Sequence, residues 1–114
     1  MKSMNPIIKT PWGDHIDLSQ VITISEASKS DDYEYIFFSF AIIDIEFKHR
    51  NKKISYHFFP TEEELDDKNF YGRKYMLRDN EGNHLTVKRA QSMVDEIVGQ
   101  WMEYKNYVNS AKYE

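Results

Sequence analysis

The stretch "YEYIFFSFAIIDIEFKHR", residues 33–50, constrains the fold more than any other part of this chain. From Tyr35 to Ile43 both parities are apolar: Ile36, Phe38, Phe40 and Ile42 on one, Phe37, Ala41 and Ile43 on the other. A strand with that pattern is covered on both faces, or it bends and changes the face it buries. From Asp44 to Lys48 the polar residues fall on even positions alone, leaving Ile45 and Phe47 apolar. That half is predicted to have one wet face. A straight strand over the whole stretch would reach about 60 Å, too long for a small domain. A bend is therefore expected near Ser39-Phe40-Ala41.

"RNKK" predicts a two-residue hairpin turn, with Asn51 suited to positive φ. Pairing through that turn sets Phe47 opposite Tyr56 and Ile45 opposite Phe58, so the apolar residues of both strands share a face. On the other face Glu46 would meet His57, and Lys48 would meet Ser55. Upstream, "TPWGD" follows Ile7-Ile8 and has Pro11 and Gly13 at the second and fourth positions of a tight turn. "HIDLSQVITIS" reads as two short strands broken near Ser19-Gln20, or as one strand with a bulge there. "EASKSDDYE" is polar and predicts a loop.

In "PTEEELDDKNFYG", Thr61 and Glu64 have capping-box spacing, which predicts a short helix from Glu62 to Lys68. "RKYMLRDNEGNHLTV" predicts a second hairpin around Asn80-Glu81-Gly82, with Leu77 opposite Leu85 and Tyr75 opposite Val87. A helix through Tyr71–Arg78 is the alternative. Ala90, Met93, Val94, Ile97, Trp101, Tyr104 and Val108 then follow three- and four-residue steps. They predict an amphipathic helix over Lys88–Ser110 with its stripe on the sheet. Gly99, inside that helix, costs about 1 kcal/mol relative to Ala; close packing is the expected reason for it. The whole reads as one α+β domain over residues 1–114: a bent antiparallel sheet of about five to seven strands against one long C-terminal helix.

The formal charge of −4, from 19 acidic residues against 15 Lys and Arg, argues against nucleic acid and against an anionic membrane as partner. The absence of cysteine excludes disulfides and a thiol nucleophile and leans towards a reducing compartment. "MKSMNPIIKTPWGD" has no signal-peptide core, and the apolar run at Ile36–Ile43 falls far short of the roughly 20 residues of a membrane span. A cytoplasmic protein is expected. Seven Phe, eight Tyr and two Trp fit a β-rich core, and some of the Tyr and Trp fit a partner-binding surface.

Chemistry-bearing clusters are sparse. "DHID" places Asp14, His15 and Asp17 together, but on a strand only His15 and Asp17 share a face, and no second cluster completes a metal site. The expected Glu46–His57 pair has the elements of a base and its orienter, and nothing implies a cleft around it. His49 and His84 adjoin predicted turns and are expected in solvent. The histidines show no i, i+4 pairing, and the glycines at 13, 72, 82 and 99 form no phosphate loop. No catalytic, cofactor or metal residues are therefore expected, and the reading is of a non-enzyme.

The acidic run Glu62, Glu63, Glu64, Asp66 and Asp67 is suited to steering a basic partner. Trp12, at a turn, and Tyr71 are candidate aromatic anchors, whereas Trp101 lies on the helix stripe and is expected in the core. The order of elements, with "HIDLSQVITIS" early and "RAQSMVDEIVGQWMEYKN" as the last helix, resembles small bacterial pleckstrin-homology-like domains. That resemblance implies a bent sheet capped by the helix, and binding in place of catalysis. The expected function is a small protein-binding module, of the inhibitor or immunity type, that occupies a basic partner. The alternative is a self-assembling homodimer joined through Ile36–Ile43. A hydrolase using Glu46 and His57 is a third reading.

Overall fold

The computed structural model of the protein describes residues 5–30, 40–70 and 73–111. β1 (Ile7–Lys9) and β2 (His15–Asp17) form an antiparallel hairpin with Ile8 opposite Ile16. Its turn is the expected one. The Gly13 N–H donates to the Thr10 carbonyl at 3.0 Å, and Gly13 sits at φ +102°, which a side chain rarely tolerates. A 3₁₀ turn at Leu18–Gln20 then separates β2 from β3 (Val21–Ile24). Asp17 caps it by accepting the Ser19 N–H at 2.9 Å, so the path is two strands and not one bulged strand.

The central strand is β5 (Phe40–Phe47), with β4 (Ser28–Ser30) and β3 antiparallel along one edge and β6 (Lys52–Phe58) along the other. β3 takes the C-terminal half of β5, with Ile24 opposite Ile45, and β4 takes the other end, with Ser28 opposite Ile42. Within the loop expected over "EASKSDDYE", Ser28–Ser30 is instead a strand, made by backbone pairing at a polar sheet edge without an apolar pattern, and residues 31–34 lie outside the described residues. Between the two, Ser25 exchanges bonds with Asp44, its N–H donating and its hydroxyl oxygen accepting, both at 2.8 Å. The Ala27 N–H donates to the Gln91 side-chain carbonyl at 2.9 Å.

The β5–β6 hairpin corrects the expected register. Ile45 faces Ile54, Ile43 faces Tyr56, Ala41 faces Phe58, and Phe47 faces Lys52. The turn is wider than two residues and includes a 3₁₀ turn at His49–Asn51, with Asn51 at φ +46° as its residue type suggested. The expected and observed registers differ by an even number of positions, so both keep the same side chains on the same face. Hydrophobic alternation is blind to that difference; turn geometry decides it. Glu46 consequently faces Lys53 and His57 faces Ile42, and the expected Glu46–His57 and Lys48–Ser55 pairs do not form. Ser55 instead faces Asp44 and donates to its carboxylate, with Lys53 Nζ 3.6 Å from the same group.

Two further expectations fail beyond Pro60. The helix over Glu62–Lys68 is reduced to a 3₁₀ turn at Glu62–Glu64, because Leu65 is already extended (φ −116°, ψ 145°) and begins β7 (Leu65–Phe70). β7 pairs antiparallel with β8 (Arg73–Met76), Leu65 opposite Met76, which replaces both the Tyr75–Val87 pairing and the alternative helix over those residues. The loop around Gly82 does form, at φ +87°, with Arg78 opposite His84 and the Leu85 N–H bonded to the Leu77 carbonyl at 3.0 Å. Asp79 holds it: its carboxylate accepts the N–H groups of Asn83 and Glu81, each at 2.9 Å. These bonds, the Asn83 one foremost, keep the Asp79 carboxyl below its ordinary range. At Leu85 the helical period takes over, and α1 runs from Leu85 to Ala111. His84 is half-buried against this junction, not in solvent.

Ala41, Ile43 and Ile45 of β5 are sealed from water with Ala90, Val94 and Ile97 of α1 and Ile16, Leu18 and Val21 of the N-terminal elements. Trp101 and Tyr104 are half-buried and pack on this cluster. Among the described residues this is an α+β fold: antiparallel sheets and one long C-terminal helix against the central sheet, and no helix is long and apolar enough to cross a membrane. The two-sided apolar residues before Phe40, and Ser39 of the expected bend, lie outside the described residues.

Gly99 does not owe its place to close packing. It is exposed, and a Cβ built there meets nothing within 4 Å. Gly99→Ala should raise stability by about 1 kcal/mol, read as a higher denaturant midpoint at unchanged slope; a lowered midpoint would show that the glycine is needed.

Candidate functional site

The acidic segment is organised by one side chain that faces inward. Glu64 is only 8% exposed. Its carboxylate accepts the Thr61 N–H at 2.9 Å, the Arg89 Nε–H at 2.8 Å, a second Arg89 N–H at 3.2 Å and the Thr86 hydroxyl at 3.2 Å. Burial opposes ionisation of this group, but the Arg89 hydrogen bonds, the Thr61 amide, the guanidinium charge and the Thr86 hydroxyl outweigh it. The carboxyl is held below its ordinary value.

The backbone prepares this meeting. The Leu77 N–H donates to the Glu64 carbonyl at 2.9 Å, and the Leu77 carbonyl accepts the Leu85 N–H. Leu77 thus bridges the acidic turn to the first turn of α1, where Thr86 and then Arg89 lie one helical turn apart. Arg89 also donates from Nη2 to the Phe59 carbonyl at 3.0 Å. The segment Phe59–Glu64 is therefore fastened at both ends to α1.

Of the residues expected to form an acidic surface, Glu64 is withdrawn from it as this internal anchor. Glu62 and Glu63 remain exposed on the 3₁₀ turn. Asp66 and Asp67 continue the backbone into β7. Tyr71 lies outside the described residues. Phe59, unremarked in the sequence, is 47% exposed and precedes Glu62 by three positions. Arg89 was equally unsignalled, since 25 positions separate it from Glu64 and neither belongs to a motif.

Trp12 packs on β6. It is half-buried, its ring centroid 4.8 Å from Tyr56 and 5.2 Å from Phe58, with Nε1–H donating to Asp14 at 3.1 Å. It joins the β1–β2 hairpin to β6 and stands apart from the Glu62–Glu63 turn in the chain. Burial, then the Asp14 charge, raises the Tyr56 hydroxyl above its usual value. A groove of about 530 Å³ opens beside it, with half-buried Phe47, Ile54 and Tyr56 within and exposed His15, His49 and Lys52 around them. Among the described residues, no three His, Asp or Glu side chains gather as they would around a metal ion.

No family model, no curated protein and no solved structure matches this chain.

Glu64→Ala should cost about 2 kcal/mol, since it strips a shared acceptor from the donors of three residues and leaves Arg89 uncompensated. Because the folded-state carboxyl is held low, its contribution is present above the unfolded value of about 4.3 and is lost as pH falls through the lower folded value. Urea titrations between neutral and acidic pH should show a steeper acid loss for the wild type than for Glu64→Gln. Parallel curves would show that Glu64 is not coupled to folding.

Proposed function

We propose that the protein is a non-catalytic protein-binding module that meets a basic surface through the segment carrying Phe59, Glu62 and Glu63. One observation carries this reading: two exposed carboxylates on a short turn, with an exposed aromatic ring three residues before it, belong to a segment whose own anchor, Glu64, is tied to Arg89. An anchored turn loses little conformational freedom on binding, so more of its contact energy appears as affinity. An aromatic ring with a charged surround has the composition of an interface centre and its rim. The finer reading, an inhibitor or immunity-type protein that occupies a basic partner, belongs to the same proposal. The likeness to pleckstrin-homology-like domains is a proposal about fold alone.

Glu62→Lys/Glu63→Lys, which leaves Glu64 and Arg89 intact, should weaken partner binding at least tenfold and steepen no unfolding curve. Affinity capture from the native extract with wild type and variant side by side, followed by titration of the captured partner, provides the measurement. A partner retained at full affinity by the variant would remove this turn as the binding surface.

A further inference from the structure

The basic surface that suits the acidic turn is present in this chain itself. Lys48, His49 and Lys52 are exposed at the β5–β6 turn, at the start of β6, while Glu62 and Glu63 follow its end. The two charged ends are separated by the length of β6, roughly 20 Å at the usual rise per residue. That is more than the screening length of about 8 Å at physiological salt, so they do not neutralise each other within one chain.

β6 also pairs on one side only: among the described residues its ladder is with β5, and its other edge carries no strand. An open edge of this length is a template for another strand. Antiparallel pairing of β6 with β6 of a second copy, centred on Ser55, sets Ile54 opposite Tyr56 and Lys53 opposite His57. Even positions then meet even positions, so the half-buried face of Ile54, Tyr56 and Phe58 continues across the joint and the wet face continues behind it. The same twofold axis carries each acidic turn to the other copy's basic turn, Glu62 towards Lys48.

We infer that the chain forms a symmetric dimer through antiparallel β6 edges, with the Glu62–Glu63 turn of each copy against the Lys48–Lys52 turn of the other. The inference rests on the reading of the acidic turn as a docking surface and names the partner. The arrangement is isologous, so it closes at two copies and does not propagate.

Charge exchange tests it. Lys48→Glu/Lys52→Glu and Glu62→Lys/Glu63→Lys each place like charges at both contacts of a homodimer. In an equimolar mixture every contact is again between opposite charges. Light scattering behind size exclusion should give a dimer for the wild type, weakened by added salt, and a monomer for each variant with at least a tenfold rise in dissociation constant. The mixture should return the dimer, and hydrogen exchange should show β6 amides protected in the dimer and released in either variant. Cooperative melts of both variants would confirm that they are folded. A wild type monomeric at high concentration overturns the inference, as does a dimer indifferent to either reversal or a mixture that stays monomeric. In those cases a heterologous partner lost on reversing Glu62 and Glu63 would leave the proposed function standing.

Discussion

Everything in this fold follows from the odd-numbered side chains of β5. Ala41, Ile43 and Ile45 are fully out of water, and a strand face can reach that state only if another layer lies along its whole length. The long helix α1 supplies that layer with Ala90, Val94 and Ile97, small or branched residues that let helix and sheet approach closely. The β1–β2 hairpin and the turn after it extend the cover with Ile16 and Leu18. On the even-numbered face Ile42 and Asp44 are half-buried and Glu46 is exposed, and this face carries the Asp44–Ser55–Lys53 group. The change of pattern at Asp44 is thus the mark of a strand with one covered face.

A covered sheet does not by itself fix where β7, β8 and the acidic turn sit. Glu64 does. Its carboxylate satisfies donors from three places in the chain, Thr61, Thr86 and Arg89, and its carbonyl takes the Leu77 N–H. A buried carboxylate is tolerable only when it is so surrounded. The arrangement gives direction as well as attachment: with Glu64 turned in, Glu62 and Glu63 are left outward on the same short turn.

What could be read from the residues, and what could not, divides along the range of the forces involved. Pro11–Gly13, Gly82 and Asn51 were legible because local backbone sterics demand those types at those turns. The stripe from Ala90 to Val108 was legible because one face of a helix repeats. The register of β5 on β6 was not, since alternation is preserved by any even slip and the turn that chooses among the slips has no strong signature. β4 was missed because Ser28–Ser30 is held by backbone bonds to β5, which leave no trace in side-chain type. The true part played by Glu64 was hidden for a related reason. Its neighbours in sequence are acidic, which suggests a solvated run, and the guanidinium that draws it inward arrives from a distant helix.

The distribution of charge gains meaning from these same corrections. With Glu64 paired internally, the outward acidity of the turn is carried by Glu62 and Glu63, and with the hairpin register as observed, Lys52 stands at the first position of β6. A strand with cationic residues at its start and carboxylates past its end is self-complementary when it runs antiparallel to a copy of itself, and self-repelling when parallel. Lysines at an open edge ordinarily guard against indiscriminate pairing. In the dimer we infer, that guard would discriminate: it would oppose strands without carboxylates at the matching place and admit one that has them. Protection of the edge and recognition by it would then be one property of the same few charges.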